Sequence, residues 1–286
     1  MTNTNTTRVV EASGKLTIGG DLTAHRLGLG TMRLTGEGFW GPPPDHDESI
    51  RVLRRAVELG INFIDTADSY GPFVTEELIR QALYPYDGAL IATKAGYLRP
   101  RPGVWAEMGY PAYLRQAVEM SLRRLNVERI DLLQLHRIDD KFPLTDQVGE
   151  LANMQQEGKI RHIGLSEISV TQLQAAQKIA SIVSVQNRYN MVERGAEALL
   201  EHCAAQGIAF IPWAPLGFGQ LAAEHGPLQR LAAQHNISPS QLAVAWLLKR
   251  SPVMLPIPGT SRVAHLNENV KAAQVHLSDE EFQTLS

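Results

Sequence analysis

Apolar and polar positions along the chain fall into two alternating periods. Short apolar runs at about 61–66, 89–95, 130–136, 160–166, 182–187 and 208–213 are bounded by turn residues, the pattern of strands buried on both faces. Between them, apolar residues recur at three- and four-residue spacing over roughly 47–59, 75–84, 111–126, 144–158, 170–180 and 195–206, which predicts amphipathic helices. Strands alternating with helices of this length predict βαβ units and a parallel sheet. Upstream, 15–18 and 22–24 flank Gly19-Gly20-Asp21 and read as a β-hairpin, followed by a short first strand at 26–30. Downstream, 226–235 and 239–249 read as two helices, 253–257 as an eighth strand and 263–273 as a further helix. Gly60, Gly158 and Gly207 each close a predicted helix, where a left-handed residue costs glycine least. Ser278 with Glu281 has the spacing of a capping box for a last short helix. Residues 1–13 carry no such pattern and read as a flexible tail. The expectation is an α/β chain with one (β/α)8 TIM barrel over 14–286, an N-terminal hairpin and extra C-terminal helices; barrels of this kind run to this length as one domain.

Three of the predicted strands end in reactive groups. The run Ile61-Asn62-Phe63-Ile64 ends in Asp65, with Tyr70 five residues on; the run over 89–93 ends in Lys94; the run over 130–135 ends in His136. Active sites of such barrels are built from C-terminal strand ends, so an acid, a phenol, an amine and an imidazole are expected to converge. The two longest irregular stretches, 33–46 and 96–110, also follow strand ends and are expected to shape a pocket on the same face. Phe39, Trp40 and Trp105 lie on them, either as walls for an aromatic or apolar substrate or as loop anchors. At the other end, Pro258-Gly259-Thr260-Ser261-Arg262 joins strand eight to a helix. Hydroxyls, backbone N–H groups and a helix N-terminus there suit an anion, and Arg262 can hold a phosphate bidentately. No G-x-G-x-x-G opens the chain, which removes a Rossmann reading. His162 reads as a packed histidine low in the barrel. Cys203 reads as inert on a helix's apolar face. No cluster has metal-ligand spacing, so no metal is expected.

Composition changes this picture little. A net charge of −3 gives no overall drive toward nucleic acid or an anionic membrane. A single cysteine excludes an internal disulfide and is compatible with a reducing compartment. No apolar run reaches the roughly 18 residues of a membrane-spanning helix, and the polar N-terminus lacks a signal-peptide core. The expectation is a soluble cytoplasmic enzyme, a monomer or weak homo-oligomer, with a small-molecule partner.

The motifs R-L-G-L-G-T-M, D-T-A-D-S-Y-G, T-K-A-G, L-L-Q-L-H, I-R-H-I-G-L-S, V-Q-N-R-Y-N, W-A-P-L-G and I-P-G-T-S follow the hairpin in this order. Together they resemble the aldo-keto reductase superfamily along almost the whole chain. The G-P-P after the first strand and the V-A-H-L-x-E-N near the end resemble its short bacterial members, which include reductases of small aldehydes such as pyridoxal. The resemblance implies a catalytic tetrad of Asp65, Tyr70, Lys94 and His136. Tyr70 would protonate the carbonyl oxygen, Lys94 would lower its pKa, Asp65 would hold Lys94, and His136 would stabilise and orient the oxygen. It implies NADP(H), preferred over NAD(H), with the 2′-phosphate at Gly259, Thr260, Ser261 and Arg262 and the adenine near His265, Glu268 and Asn269. Thr31, Met32, Asp65, Ser166, Gln186, Trp213, Pro215, Leu216 and Gly217 would complete the cofactor's path. Trp213 stands where a stacking tyrosine is frequent. Two positions depart from the family pattern. Glu167 replaces the usual asparagine, and His265 replaces a basic residue, leaving Arg262 as the main phosphate anchor.

Two other functions fit parts of the same sequence. Lys94 beside a phosphate-binding loop also suits a Schiff-base aldolase-type barrel. A nicotinamide-sensing subunit without turnover would keep the same cofactor residues.

Overall fold

The computed structural model describes residues 8–217 and 226–286. The hairpin is β1 (Lys15–Ile18) and β2 (Leu22–His25). The first half continues as β3 (Leu29–Gly30), α1 (His46–Glu58), β4 (Phe63–Asp65), α2 (Val74–Leu83), β5 (Leu90–Ala95), β6 (Tyr97–Leu98), β7 (Ala106–Glu107) and α3 (Pro111–Leu125). The second half is β8 (Ile130–Leu135), α4 (Leu144–Gln156), β9 (Ile160–Ser166), α5 (Val170–Gln177), β10 (Ile182–Gln186), α6 (Glu197–Gln206) and β11 (Ala209–Phe210). Helices α7 (Pro227–Gln234), α8 (Pro239–Arg250), α9 (Val263–Asn269) and α10 (Asp279–Leu285) complete it.

Seven strands form one parallel sheet in the order β11-β10-β9-β8-β5-β4-β3. The expected eighth strand at 253–257 is not a regular strand. It closes the barrel through single backbone bonds: Phe210 N–H to the Val253 carbonyl, Leu255 N–H to Phe210, and Gly28 N–H to Pro256. Pro256 and Pro258 bring no N–H, so a full ladder cannot form there. The first strand is also shorter than the expected 26–30, spanning Leu29–Gly30.

Strand parity sorts the barrel interior into two layers. Phe63, Ala92 and Leu132 pack with Ile18, Leu22 and Ala24 of the hairpin, which plugs the N-terminal end. Two residues further along each strand come Asp65, Lys94 and Gln134, all buried. Side chains two apart on a strand share a face, so this polar layer stands directly above the apolar floor. Gly164 makes room for that layer: a Cβ there would lie 2.1 Å from Ser184 Oγ and 3.0 Å from Gln134 Cγ. The intervening positions, such as Leu133, Leu135, Ile163 and Leu165, face outward and pack under the helices.

Several local expectations change. Within the stretch read as a tail, Val9–Ser13 forms a 3-10 helix with Val10 and Ser13 buried; residues 1–7 lie outside the described residues. The loop 96–110 contains the antiparallel pair β6–β7, Tyr97 opposite Glu107. The helix expected at 263–273 is α9 followed by a 3-10 turn over Val270–Gln274. His162 is low in the barrel, but it is not a buried core residue: its Nε2 lies 2.6 Å from Asp21 on the hairpin turn. The capping box at Ser278 and Glu281 is present, as are two others at Ser169 and Ser238; each such cap is worth about 1 kcal/mol.

Candidate active site

The polar layer opens into a cavity of about 590 Å3 at the C-terminal ends of the strands, walled in part by Asp65, Tyr70, Tyr97, Trp105 and His136. Lys94 lies beneath it, with no exposed surface. Its Nζ donates to Asp65 Oδ1 at 2.7 Å, to the Thr66 carbonyl at 2.7 Å and to Tyr70 Oη at 3.1 Å. An ammonium has three protons to give, and all three are placed. Asp65 answers with both oxygens, its Oδ2 accepting from Gln186 Nε2 at 2.7 Å and Gln134 Nε2 at 3.2 Å. Lys94 therefore sits in a fixed cage that aims one proton at the phenol.

Charge states follow from burial and neighbours. Burial opposes the Lys94 charge, but Asp65 and Tyr70 outweigh it and hold the amine above its ordinary range. Burial raises the Tyr70 phenol above its usual value of 10.0, and Lys94 only partly offsets this. The expected net depression by Lys94 is thus reversed, because desolvation is the larger effect. Burial, then the cations Lys94, Arg137 and Arg99, push His136 well below 6.5, so the imidazole is neutral. Its ring lies 4.7 Å from that of Tyr97 and 5.9 Å from that of Tyr70, both edge-on.

The expected cofactor and pocket residues divide into two groups. Met32, Asp65, Ser166, Gln186, Trp213, Pro215, Leu216 and Gly259 line the cavity, as do Phe39 and Trp105 from the two loops. Thr31, Gly217 and Trp40 do not. The Thr31 hydroxyl donates to the Asp65 carbonyl at 2.9 Å. Trp40 lies 5.5 Å from the Arg99 guanidinium, a contact that suits the loop-anchor reading. Thr260 is buried, its Oγ1 accepting the Arg262 N–H at 3.1 Å. The Val263 N–H at the start of α9 donates to Glu48 Oε1 at 2.8 Å, so this donor of the expected anion cradle is already occupied. Ser261, Arg262 and His265 are exposed, Glu268 is half-buried and Asn269 is buried.

Glu167 explains itself through Trp213. Its Oε1 accepts from the indole Nε1 at 2.5 Å and from the Arg188 N–H at 2.6 Å. The carboxylate therefore braces the tryptophan at the cavity wall. Its backbone is left-handed, with φ 54°, a conformation asparagine tolerates better than glutamate.

Four contributors escaped the sequence reading. Gln134 shares the inward parity of His136 and was legible on that ground. Tyr97 and Arg137 also line the cavity, and each follows a reactive strand end closely in sequence. Arg137 donates to Ser166 Oγ at 3.1 Å. Arg99 ties the loops together, and nothing in its local sequence marks it.

Outside the site, Cys203 is buried and its thiol is pushed up to about 12, which keeps it unreactive. Among the described residues no helix is long and apolar enough to cross a membrane.

Comparison with known proteins agrees with this geometry. The chain is 52% identical over 286 residues to an oxidoreductase of Schizosaccharomyces pombe, covering 100% of this chain and 94% of the relative. It is 45% identical over 273 residues to pyridoxine 4-dehydrogenase of Escherichia coli, covering 93% and 95%. A crystal structure of an aldo-keto reductase from Klebsiella pneumoniae in complex with NADPH superposes with a TM-score of 0.81 at 27% identity, covering 95% and 93% of the two chains. The profile of the aldo/keto reductase family matches residues 26–286, and with the barrel, the buried Asp65–Lys94–Tyr70 chain and His136 at the cavity wall, this chain belongs to that family.

Proposed function

We propose that the protein is an NADP(H)-dependent reductase that converts a small or aromatic aldehyde, or a ketone, to the alcohol. The observation that carries this reading is the placement of Tyr70: its hydroxyl is held 3.1 Å from a fully buried ammonium and its side chain borders the cavity together with His136. Reducing a carbonyl develops negative charge on oxygen, which a positioned acid must neutralise. Tyr70 holds that proton. Lys94 stabilises the phenolate left behind, and Asp65, Gln134 and Gln186 keep Lys94 charged and fixed. His136 donates to the same oxygen and orients it.

The residues present fit a nicotinamide cofactor. Trp213, braced by Glu167, offers a flat face at the cavity wall, Ser166 offers a hydroxyl, and the exposed Arg262 offers a guanidinium for a 2′-phosphate. A reduced nicotinamide bound there supplies the hydride. Arg262 supports a preference for NADP(H) over NAD(H), as does the likeness to a relative crystallised with NADPH. The Schiff-base reading loses support: Lys94 donates all three protons and does not border the cavity, whereas imine formation needs a neutral, accessible amine.

Phe39, Tyr97 and Trp105 give the cavity aromatic walls, which suits a flat substrate. The relation to pyridoxine 4-dehydrogenase makes pyridoxal the first candidate. We place this work in the cytoplasm, carried out by one barrel domain over 14–286 as a monomer or weak homo-oligomer. The test is a panel of aldehydes, pyridoxal included, followed by NADPH oxidation, with NADH in parallel. Turnover with NADPH exceeding that with NADH is expected. Binding of NADPH without turnover of any carbonyl would favour a sensor.

A further inference from the structure

His136 can donate to a substrate oxygen only from a ring nitrogen that carries a proton. A neutral imidazole has one such nitrogen, and the partner of the other decides which it is. The Nδ1 of His136 lies 3.2 Å from the hydroxyl of Ser69, and Ser69 is buried. Its own carbonyl is fixed by Arg99 Nη1 at 2.7 Å, so this turn residue is held from behind as well.

Distance alone leaves the direction of the hydrogen bond open, and two further observations bear on it. The imidazole sits among the cations Lys94, Arg137 and Arg99 in a buried place, and both burial and those charges oppose a second proton on the ring. The competitor for the Ser69 proton is the adjoining Asp68 carboxyl, whose charged form the Ser69 N–H and hydroxyl both favour, though less than burial opposes it. Its Oδ1 has no hydrogen-bond partner, and burial, with Glu76 nearby, holds it well above the usual carboxylate range. A carboxyl kept toward its neutral form is a weak rival acceptor. The imidazole nitrogen is the stronger acceptor left within reach.

We infer that Ser69 is a positioning residue whose hydroxyl donates to Nδ1 of His136 and so fixes the imidazole as the Nε2–H tautomer. The ring then presents a donor, and not a lone pair, to the carbonyl oxygen of a substrate in the cavity. The consequence for turnover rests on the reductase reading; the tautomer does not.

The test is long-range 1H–15N correlation of the full chain labelled at its histidine ring nitrogens, with the His136 signals assigned by their loss in His136→Asn. The wild-type spectrum is expected to place the proton on Nε2 and to leave Nδ1 pyridine-like. In Ser69→Ala the tautomers are expected to mix, with kcat/KM for the aldehyde falling about tenfold, the scale of one lost hydrogen bond, and NADPH affinity unchanged. Ser69→Thr keeps the hydroxyl and is expected to restore both readouts. A proton on Nδ1 in the wild type overturns the inference without any variant. So does a Ser69→Ala protein that keeps the Nε2–H tautomer and wild-type kcat/KM. If the tautomer shifts as described but the wild-type protein reduces no carbonyl, Ser69 keeps its role and the reductase reading falls.

Discussion

At the scale of single residues, the site is a small circuit of paired charges under one phenol. Lys94 and Asp65 are mutually satisfied, Tyr70 is made a weaker acid by burial, and His136 is kept neutral. The pH dependence follows. Raising pH through the Tyr70 pKa removes the acid form, so reduction falls there, and that limb lies above the ordinary phenol value of 10.0. Lowering pH would protonate His136 and remove its acceptor nitrogen, but that limb lies well below 6.5. The expected kcat/KM profile for reduction is therefore flat between about pH 6 and about pH 9; an inflection near the ordinary histidine value would contradict the assigned charge states. Asp65, Tyr70, Lys94 and His136 were all legible from strand ends, and Gln134 from parity. The brace between Glu167 and Trp213 was not, because it joins residues 46 apart that only the barrel brings together.

At the scale of elements, strand–helix alternation was readable because parallel strands and amphipathic helices have distinct periods. Barrel closure was not, because the 253–257 segment pairs through isolated bonds around two prolines. The two cavity loops were recognisable as long and irregular, but their shape depends on one tertiary clamp. Arg99 donates from Nε to the Val104 carbonyl at 3.1 Å and from Nη1 to the carbonyls of Phe39 at 3.3 Å and Ser69 at 2.7 Å. Its guanidinium also lies 3.6 Å from the centre of the Trp105 ring. One planar cation thus joins both loops to the turn that carries Tyr70, a task the compact lysine head cannot copy. Arg99→Ala is expected to raise KM for the aldehyde about tenfold, the loss of one or two net hydrogen bonds, with a smaller change in NADPH affinity. Steady-state kinetics beside a direct NADPH titration would check this; equal losses in both would show that the clamp serves the whole mouth of the barrel.

At the scale of the whole molecule, the barrel gives up stability beside its site. Asp68 is buried with an unpartnered oxygen, and burial followed by the Glu76 carboxylate raises its pKa well above 3.8. The folded state therefore holds this proton more tightly than the unfolded chain, so stability falls as pH rises from the unfolded value through the folded one. Asp68→Asn does not titrate and is expected to melt several degrees higher than wild type at pH 8, with the difference shrinking toward pH 4. A constant difference across that range would show that the folded protein holds this proton no more tightly than the unfolded chain does. The central claim, that the apparatus exists to deliver a proton from Tyr70, is tested most directly by Tyr70→Phe. Aldehyde-dependent NADPH oxidation is expected to fall at least about 100-fold, within the range for loss of a positioned acid, while NADPH binding stays near wild type. A folded Tyr70→Phe protein that retains wild-type turnover would contradict it.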